Sequence, residues 1–269
     1  MNDSDVSDDA LLGPSDPAPV TVVNPDGARA ALLVCDHAAN AVPAALHGLG
    51  LAERDLHHHI ALDIGAAEVT RALARLLDAP AVLPGYSRLV VDCNRRLDHA
   101  SSIVALSDGV EIPGNRDLTE AGRRARIDEC FWPYHRRIGA GLAGFALRAI
   151  RPAIISVHGF TPVLDGVERP WHVGVLWDGD RRIAEPLLAA LGAREGLVVG
   201  DNEPYSGRQR YGYTIEVHAT ETGLANVLVE IREDQVADAD GQARFAGLLA
   251  ETLAPILDDL GYGIGGKGR

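Results

Sequence analysis

The sequence is poor in cysteine, in aromatic residues and in long apolar runs. Its three cysteines, Cys35, Cys93 and Cys130, are odd in number and lack the spacing of a metal site or a disulfide framework. Only 5% of the residues are aromatic although 46% are hydrophobic, so aliphatic side chains and alanine must form most of the core. No apolar run approaches the roughly 20 residues of a membrane helix, and no basic-then-apolar leader is evident. We therefore expect a cytoplasmic protein with no membrane partner.

Positive charge is also scarce. The 25 Lys and Arg residues against 38 Asp and Glu residues give a net charge of −13. Because nucleic acids are bound by basic surfaces, we expect no nucleic-acid partner. Part of the acidity is local, since aspartates and prolines crowd the first 20 residues. We expect residues 1–20 to form an acidic flexible tail and residues 21–269 to form a single α/β domain.

Apolar runs alternate along the chain with amphipathic segments. The runs predict β-strands over residues 29–35, 81–83, 89–91, 153–157, 172–177, 198–199 and 226–231. Helical spacing predicts helices over 63–78, 119–150, 182–193 and 243–260, with a kink at Pro133 and a flexible Gly-rich end at 261–269. Alternation of this kind is typical of one α/β domain with the strands at its centre.

Two histidines lie where predicted central strands end. His37 follows one apolar run, and His158 follows another that is far away in the sequence. In open α/β sheets, ligands bind at the carboxyl edge of the strands. Imidazole is also well suited to hold zinc at neutral pH. Each histidine alone is more typical of a residue that hydrogen-bonds to nearby backbone, but the pair favours a metal site.

A catalytic zinc ion usually has three protein ligands and one open position, so the pair needs a third ligand. Asn40 stands three residues after His37, and Asp63 begins the first long predicted helix. A carboxylate binds Zn²⁺ better than a neutral amide does, which favours Asp63. The residues alone leave both candidates open. The run His57–His59 is more typical of a solvated turn.

Charged residues accompany two other apolar runs. Arg88 and Arg95 flank a predicted strand, where a guanidinium can bind a substrate carboxylate in a bidentate manner. Asp92 can equally pair with one of them. Glu230 lies within an apolar strand, where a carboxylate is costly unless it is paired or functional. Either Arg232 neutralises it from the same face, or Glu230 is the general base of metal-assisted hydrolysis.

Taken in chain order, these residues resemble the N-formylglutamate amidohydrolase family. The resemblance runs from about Ala31 to Asp234 and rests on His37, Asp63-Ile64-Gly65, Ser87-Arg88, Asp92-x-Asn94-Arg95, His158-Gly159-Phe160, Asn202-Glu203-Pro204-Tyr205-Ser206-Gly207 and Glu230-x-Arg232. The family is similar in turn to zinc carboxypeptidases and aspartoacylase, whose Arg…Asn-Arg element grips a substrate carboxylate. The chain departs from the pattern after His37, where Ala38-Ala39-Asn40 replaces the usual residues, and Asn40 stands where aspartoacylase has glutamate.

The resemblance implies a phosphorylase/hydrolase-like three-layer α/β sandwich with a mixed central sheet flanked by helices. It also implies zinc-dependent hydrolysis of a small anionic N-formyl or N-acyl amino acid, first of all N-formyl-L-glutamate. We predict one zinc ion held by His37, Asp63 and His158, with Glu230 as the catalytic base. The predicted substrate-binding residues are Arg88, Asn94, Arg95, Tyr205 and Arg232.

Two other functions fit the same residues. A carboxypeptidase-like enzyme would cleave a C-terminal residue from a short peptide and would need a more open cleft. A non-catalytic protein that binds a small molecule would have the same fold with an eroded metal site. The sequence leaves the oligomeric state open, a homo-oligomer included.

Overall fold

The computed structural model describes residues 10–209 and 212–268, and a mixed sheet of seven strands forms its centre. The strands, including those of two short hairpins, are β1 (Val20–Val23), β2 (Ala31–Val34), β3 (Ala81–Pro84), β4 (Leu106–Ser107), β5 (Val110–Glu111), β6 (Ala153–Phe160), β7 (Val163–Leu164), β8 (Val167–Glu168), β9 (Val173–Leu176), β10 (Val199–Asp201) and β11 (Asn226–Arg232). The α-helices are α1 (Glu53–Leu56), α2 (Ala66–Leu77), α3 (Glu120–Arg126), α4 (Trp132–Leu147), α5 (Ala184–Gly192), α6 (Tyr213–Ile215) and α7 (Ala239–Asp259).

The sheet combines parallel and antiparallel pairs in the order β1-β3-β2-β6-β11-β9-β10. Strands β3, β2, β6 and β11 run parallel to one another. Strand β1 is antiparallel to β3, and β9 is antiparallel to β11. The predicted mixed central sheet is therefore confirmed. Parallel pairing of β2, β6 and β11 brings their carboxyl ends to one edge of the sheet.

Alternate side chains of the central strands pack against helices on opposite faces. In β2, Leu33 lies in an apolar cluster with residues of α2 and α7, whereas Leu32 and Val34 lie in a second cluster with residues of α4. Leu187 and Leu191 of α5 join the first cluster. Because successive residues of a strand point to opposite faces, each face of the sheet has its own helical cover. The predicted three-layer α/β sandwich is confirmed.

The region predicted as one kinked helix over 119–150 consists of three helical pieces. Thr119 caps α3, since its hydroxyl accepts a hydrogen bond from the Gly122 N–H at 3.1 Å. A π-helical turn over 127–131 connects α3 to α4. Pro133 is the second residue of α4, and α4 continues directly from the π-helical turn, so the missing N–H falls where the helical hydrogen-bond pattern changes. The structure therefore divides the predicted helix at the π-helical turn that precedes Pro133.

The prediction of a strand over 89–91 is wrong. Leu89, Val90 and Val91 lie in and after a turn and pair with no strand among the described residues. Their side chains are buried in the same cluster as those of α4. The apolar run thus reflects burial rather than β-structure, an ambiguity expected of short runs.

Residues within both predicted flexible ends contact the rest of the domain. Leu11 is buried, and the N–H groups of Leu11 and Leu12 donate to the Glu129 carboxylate at 2.8 and 2.9 Å. Part of the predicted tail over 1–20 thus contacts the rest of the domain, while residues 1–9 lie outside the described residues. At the other end, Tyr262 is buried and Ile264 forms a β-bridge with Arg29.

The three cysteines, Cys35, Cys93 and Cys130, are buried free thiols, and burial raises the pKa of each. A buried thiol with a raised pKa is a poor nucleophile, so these residues act as small apolar groups. Within the described ranges, no helix is both long and apolar enough to cross a membrane.

His135 of α4 is a buried group whose protonation is linked to folding. Its Nε2 donates to the Cys93 carbonyl at 2.9 Å, so its Nδ1 accepts from His218 Nε2 at 3.0 Å. Burial lowers the pKa of His135 from 6.5 to about 4, with a smaller lowering from His218 and an opposing effect of Asp36. Between these pH values the unfolded chain binds a proton that the folded chain does not bind.

Acidification is therefore expected to destabilise the fold through His135. Its contribution is fully present above about pH 6.5 and is lost as the pH falls to about 4, which amounts to about 3 kcal/mol of unfolding free energy. The variant His135→Gln keeps a donor for Cys93 and is expected to show a flatter dependence in denaturant titrations across this range. Equal slopes in the variant and the parent would contradict the assignment. The exposed His47→Gln provides the matched control.

Candidate active site

A cavity of about 250 Å³ opens at the carboxyl edge where β2, β6 and β11 meet. His37 follows β2, His158 lies in β6 and Glu230 lies in β11, where it is the register partner of His158. Eight of the nine predicted site residues line the cavity: His37, Asp63, Arg88, Asn94, Arg95, His158, Tyr205 and Glu230. The sheet thus assembles residues that are distant in the sequence.

Asp63 lies in the turn before α2, whereas the sequence placed it at the start of the helix itself. Gly65 in the same turn has φ +76°, and a Cβ there would come within 2.2 Å of the Val236 carbonyl oxygen. Only glycine permits this conformation and this approach. The Asp63 N–H donates to the His37 carbonyl at 3.0 Å, which holds the turn beside the histidine.

His37, Asp63 and His158 form a group that can hold a metal ion. Their ligand atoms lie within 4.8 Å of one another, and all three residues are buried. Oδ2 of Asp63 is 3.2 Å from Nδ1 of His37 and 2.9 Å from Nδ1 of His158. It also accepts a hydrogen bond from the Gly159 N–H at 3.1 Å. Two imidazole nitrogens and one carboxylate oxygen are a ligand set that zinc prefers.

The far nitrogen of each imidazole contacts a second carboxylate. Nε2 of His37 lies 2.8 Å from Asp92 Oδ1, and Nε2 of His158 lies 2.9 Å from Asp36 Oδ2. Metal-bound histidines usually donate their other N–H to a carboxylate in this manner. If both Nε2 atoms donate, both Nδ1 lone pairs face the Asp63 oxygen, and three acceptors converge on one point. Such a group requires a cation, so these residues fit a divalent metal.

The electrostatics of His158 agree with a cation at this point. Burial lowers the pKa of His158, but its hydrogen bonds to Asp36 and Asp63 outweigh burial and hold the pKa well above its usual value. For Asp63, burial raises the pKa, and the two histidines reverse this and hold it well below its usual value. The group therefore binds positive charge strongly, and without an ion a proton provides it.

Asp36 is itself fixed by two hydroxyl groups. Its Oδ1 accepts hydrogen bonds from the Tyr134 hydroxyl at 2.8 Å and from the Thr214 hydroxyl at 2.6 Å. Asp92 is held by Arg88 at 3.0 Å and by the Asn94 N–H at 2.8 Å. Neither carboxylate can turn away without losing these partners. Both histidine rings are therefore held in one orientation.

Loss of one of these supporting carboxylates is expected to weaken metal binding. The variant Asp92→Asn keeps a similar shape but removes the charge that fixes the His37 tautomer, and we expect affinity for zinc to fall by about 10- to 100-fold. Competition with a chromophoric chelator measures the change. The exposed Asp98→Asn, which loses only a contact with Arg96, is the matched control. An affinity of Asp92→Asn equal to that of the parent would disprove this supporting role.

Arg88, Asn94 and Arg95 line the wall of the cavity beside the histidines. Arg88 donates to Asp92 Oδ2 at 3.0 Å and lies 3.4 Å from Asp63 Oδ1, so its charge already serves two site carboxylates. The Asn94 amide nitrogen is 3.5 Å from Nε2 of His158, and its oxygen accepts from the N–H of Thr214 at 3.1 Å. The structure therefore places these residues, which were predicted to bind the substrate, beside the group that can hold a metal ion.

Glu230 is buried at the cavity wall, and its Oε2 has no hydrogen-bond partner among the described residues. Burial raises the pKa of Glu230 from 4.5 to about 8; His158 lowers it and Asp63 raises it by smaller amounts. Perturbed carboxyl groups of this kind cluster at catalytic sites. The unsatisfied oxygen costs stability unless it serves a bound molecule.

Two sequence-based alternatives are wrong in geometry. Arg232 does not neutralise Glu230 or line the cavity; its guanidinium donates to the Asp234 carboxylate at 2.7 and 3.1 Å. Although residues two apart share a strand face, Arg232 ends β11, and the chain after it brings Asp234 within reach. Asn40 does not line the cavity, and its amide nitrogen lies 3.1 Å from Nδ1 of His57.

Other residues of the site were not foreseen. Asp36 directly precedes His37, so its position after a buried strand was a usable signal. Trp177, Ile215 and Glu216 also line the cavity, although they belong to no recognisable motif in the sequence. Tyr205 lies at the rim, where its hydroxyl accepts from Arg169 at 3.1 Å.

The sheet thus places two histidines and a carboxylate that can hold a metal ion beside a glutamate whose Oε2 has no partner among the described residues, and these are groups that metal-assisted hydrolysis uses. The sequence model of the N-formylglutamate amidohydrolase family matches residues 29–237, and the chain belongs to this family. The resemblance seen in the sequence is confirmed. Among curated proteins, none matches the chain.

Solved structures show the same fold. The chain is 35% identical to gene product Atu2144 from Agrobacterium tumefaciens, with a TM-score of 0.89 and coverage of 93% of this chain and 98% of that one. It is 19% identical to the N-formylglutamate amidohydrolase from Ralstonia eutropha JMP134, with a TM-score of 0.70 and coverage of 90% and 98%. At this lower identity, the second likeness shows the fold alone.

Proposed function

We propose that the protein is a zinc-dependent amidohydrolase that converts N-formyl-L-glutamate into formate and glutamate. One observation carries the proposal: His37, Asp63 and His158 converge in a cavity that Glu230, Asn94 and Arg95 also line, and Glu230 Oε2 has no hydrogen-bond partner among the described residues. Family membership supports amide hydrolysis as the reaction. A cavity of about 250 Å³ suits a small molecule rather than a folded protein.

The ion would be held by His37, Asp63 and His158, and when bound it supplies Lewis-acid polarisation of the amide carbonyl and a more acidic water. The Glu230 carboxylate accepts a proton from the attacking water, whose oxygen forms a bond to the formyl carbon. The C–N bond then breaks, and Glu230 transfers the proton to the leaving nitrogen. The second proton of the water leaves the formic acid group and protonates the amine or passes to solvent, so the products are formate and the amino group of glutamate.

Asn94 and Arg95 are proposed to bind the α-carboxylate of the substrate. Arg88 is engaged with Asp63 and Asp92, so its main part is to fix those carboxylates. Bidentate binding of a carboxylate holds the amide over the ligand group and reduces the entropy to be lost in the reaction. Tyr205 contributes to the wall at the rim.

The decisive test is an assay of product release by the purified protein with one equivalent of zinc. We expect equal amounts of formate and glutamate from N-formyl-L-glutamate, loss of activity with a chelator and recovery with added zinc. The panel includes other N-formyl and N-acyl amino acids and short peptides. If no member releases formate, another acid or an amino acid, the hydrolase proposal fails.

The same panel separates the alternative functions. Release of a C-terminal residue from peptides, without hydrolysis of N-formyl amino acids, would indicate a carboxypeptidase-like enzyme. A non-catalytic binding protein would contain no stoichiometric metal, and Glu230→Gln would bind the ligand as the parent does. Metal content and ligand affinity, measured on both proteins, distinguish these outcomes.

A further inference from the structure

The active-site cavity lies over a row of side chains on one face of the sheet. Residues that are register partners across neighbouring strands point to the same face. Val34, Ser156, Leu228 and Leu176 are such partners on β2, β6, β11 and β9. Val34 packs in the apolar cluster of α4, whereas Leu228 and Leu176 belong to neither apolar cluster of the described residues and line the cavity. The cavity, rather than a helix, therefore lies over this part of β11 and β9.

An apolar wall within the cavity reaches the candidate base. It consists of Leu176, Trp177, Ile215 and Leu228, all of which line the cavity. Leu228 precedes Glu230 by two residues in β11, so the two side chains lie on one face, about 7 Å apart along the strand. Leu228 is only half-buried, although its strand lies between β6 and β9. Because the burial of apolar surface is favourable, an apolar group that covers this wall would be bound more tightly.

The residues predicted to bind a carboxylate lie at the other end of the site. Arg88 and Arg95 line the active-site cavity and also a second cavity of about 320 Å³, none of whose lining residues belongs to the apolar wall. Asp92 lines this second cavity and contacts Nε2 of His37, which follows β2. Since β2, β6, β11 and β9 are consecutive in the sheet, the metal-type ligands and Glu230 lie between the two arginines and the apolar wall.

We infer that the apolar wall binds the acyl group of the substrate, and that the enzyme hydrolyses N-acyl amino acids whose uncharged acyl chain is longer than formyl. This inference rests on the proposed function. With the α-carboxylate at Arg95 and the amide carbonyl at the metal-type ligands, the acyl chain points away from Arg95, towards Leu228 and Leu176. Asp178 and Glu216, the sequence neighbours of two residues of the wall, also line the cavity. Their negative charges disfavour a second carboxylate at this end, so the acyl chain bound there is uncharged.

The test varies the acyl group, keeps glutamate and uses the zinc-loaded full-length protein. The series is N-acetyl-, N-butanoyl- and N-hexanoyl-L-glutamate, whose amides have similar intrinsic reactivity. Since each fully covered CH₂ group contributes about 4-fold, we expect kcat/KM to rise by about 10-fold or more from acetyl to hexanoyl, mainly through a lower KM. In Leu228→Asn, which makes the middle of the wall polar, the ratio of the hexanoyl to the acetyl value should fall towards one. Both values come from the same sample, so partial unfolding of the variant leaves the ratio unchanged.

Leu147→Asn is the matched control, because Leu147 is 90% exposed at the end of α4 and does not line the cavity, so it should keep the parent ratio. A parent that hydrolyses N-formyl- and N-acetyl-L-glutamate but shows no increase with longer chains would overturn the inference. So would a parent ratio in Leu228→Asn. A flat acyl series together with a preference for N-formyl-L-norleucine over N-formyl-L-glutamate would assign the wall to the amino-acid side chain instead.

Failure of the proposed function gives a different result. If the parent hydrolyses no member of the series, the hydrolase proposal fails, and the apolar wall is then tested by binding alone. Titration calorimetry compares the affinities of the zinc-loaded parent for N-hexanoyl- and N-acetyl-L-glutamate. Tighter binding of the hexanoyl compound, lost in Leu228→Asn, would support the wall as an acyl-binding surface, whereas equal affinities would exclude it.

Discussion

Replacing Glu230 by glutamine is expected to lower kcat for amide hydrolysis by about 10²- to 10⁴-fold, the range typical of lost general acid–base catalysis. The side chain lines the cavity, and its Oε2 has no partner among the described residues. Burial holds its pKa near 8 without an ion, so the carboxyl is built to exchange a proton near neutral pH. Steady-state release of formate measures the loss, with zinc content determined on the same samples.

This loss can be separated from unfolding. Because the pKa of Glu230 is raised from 4.5 to about 8, the unfolded chain releases this proton at lower pH than the folded chain, and stability falls as the pH rises through that window. Without metal, Glu230→Gln should therefore be no less stable than the parent above pH 8. The control is Glu233→Gln, just after β11 and away from the cavity wall. A decrease in kcat of less than 10-fold for Glu230→Gln would remove Glu230 as the base.

The second large effect concerns Asp63→Asn, which we expect to lower zinc affinity by more than the 10- to 100-fold typical of a supporting residue. Asp63 Oδ2 is the atom that both Nδ1 atoms face. An amide at this position loses the negative charge, and amides are weak ligands for zinc. Activity at limiting zinc should fall in proportion to occupancy. Metal analysis after dialysis, together with chelator competition, measures the change.

Asn40→Ala is the informative control, since Asn40 is the other candidate third ligand that the sequence left open. Asn40 contacts His57 and does not line the cavity, so Asn40→Ala should keep one zinc ion per chain at parent affinity. The two variants therefore give opposite results if the geometry is correct. Retention of zinc by Asp63→Asn, with loss in Asn40→Ala, would reverse the assignment.

The sequence predicts those parts of the site that depend on local pattern. A buried strand that reaches a polar residue brings that residue towards the edge of a parallel sheet, and the positions of His37 after β2 and of His158 two residues before the end of β6 follow from this pattern. Glu230 could be singled out because a lone carboxylate in an apolar strand is costly. In each case the apolar residues that predict the position of the side chain lie within about ten residues of it in the sequence.

The other features depend on contacts that no local pattern encodes. The hydroxyls that fix Asp36 come from Tyr134 and Thr214, which lie 98 and 178 residues away along the chain. Arg232 shares a strand face with Glu230, yet the turn that follows β11 gives it Asp234 as a partner. The run 89–91 is apolar enough for a strand, but its burial against α4 is decided by tertiary packing.

The order of strands in the sheet also determines when the site can exist during folding. Strands β2, β6 and β11 are neighbours in space, although the contact of His158 with Asp36 spans 122 residues and that of Thr214 with Asp36 spans 178. Native contacts of such long range are late and slow to form, because a large loop must close first. A partly folded chain therefore cannot hold the ion with all three ligands and their supports. Zinc would bind the completed fold preferentially and stabilise it by mass action, and recovery of tight binding should follow the slowest phase of refolding.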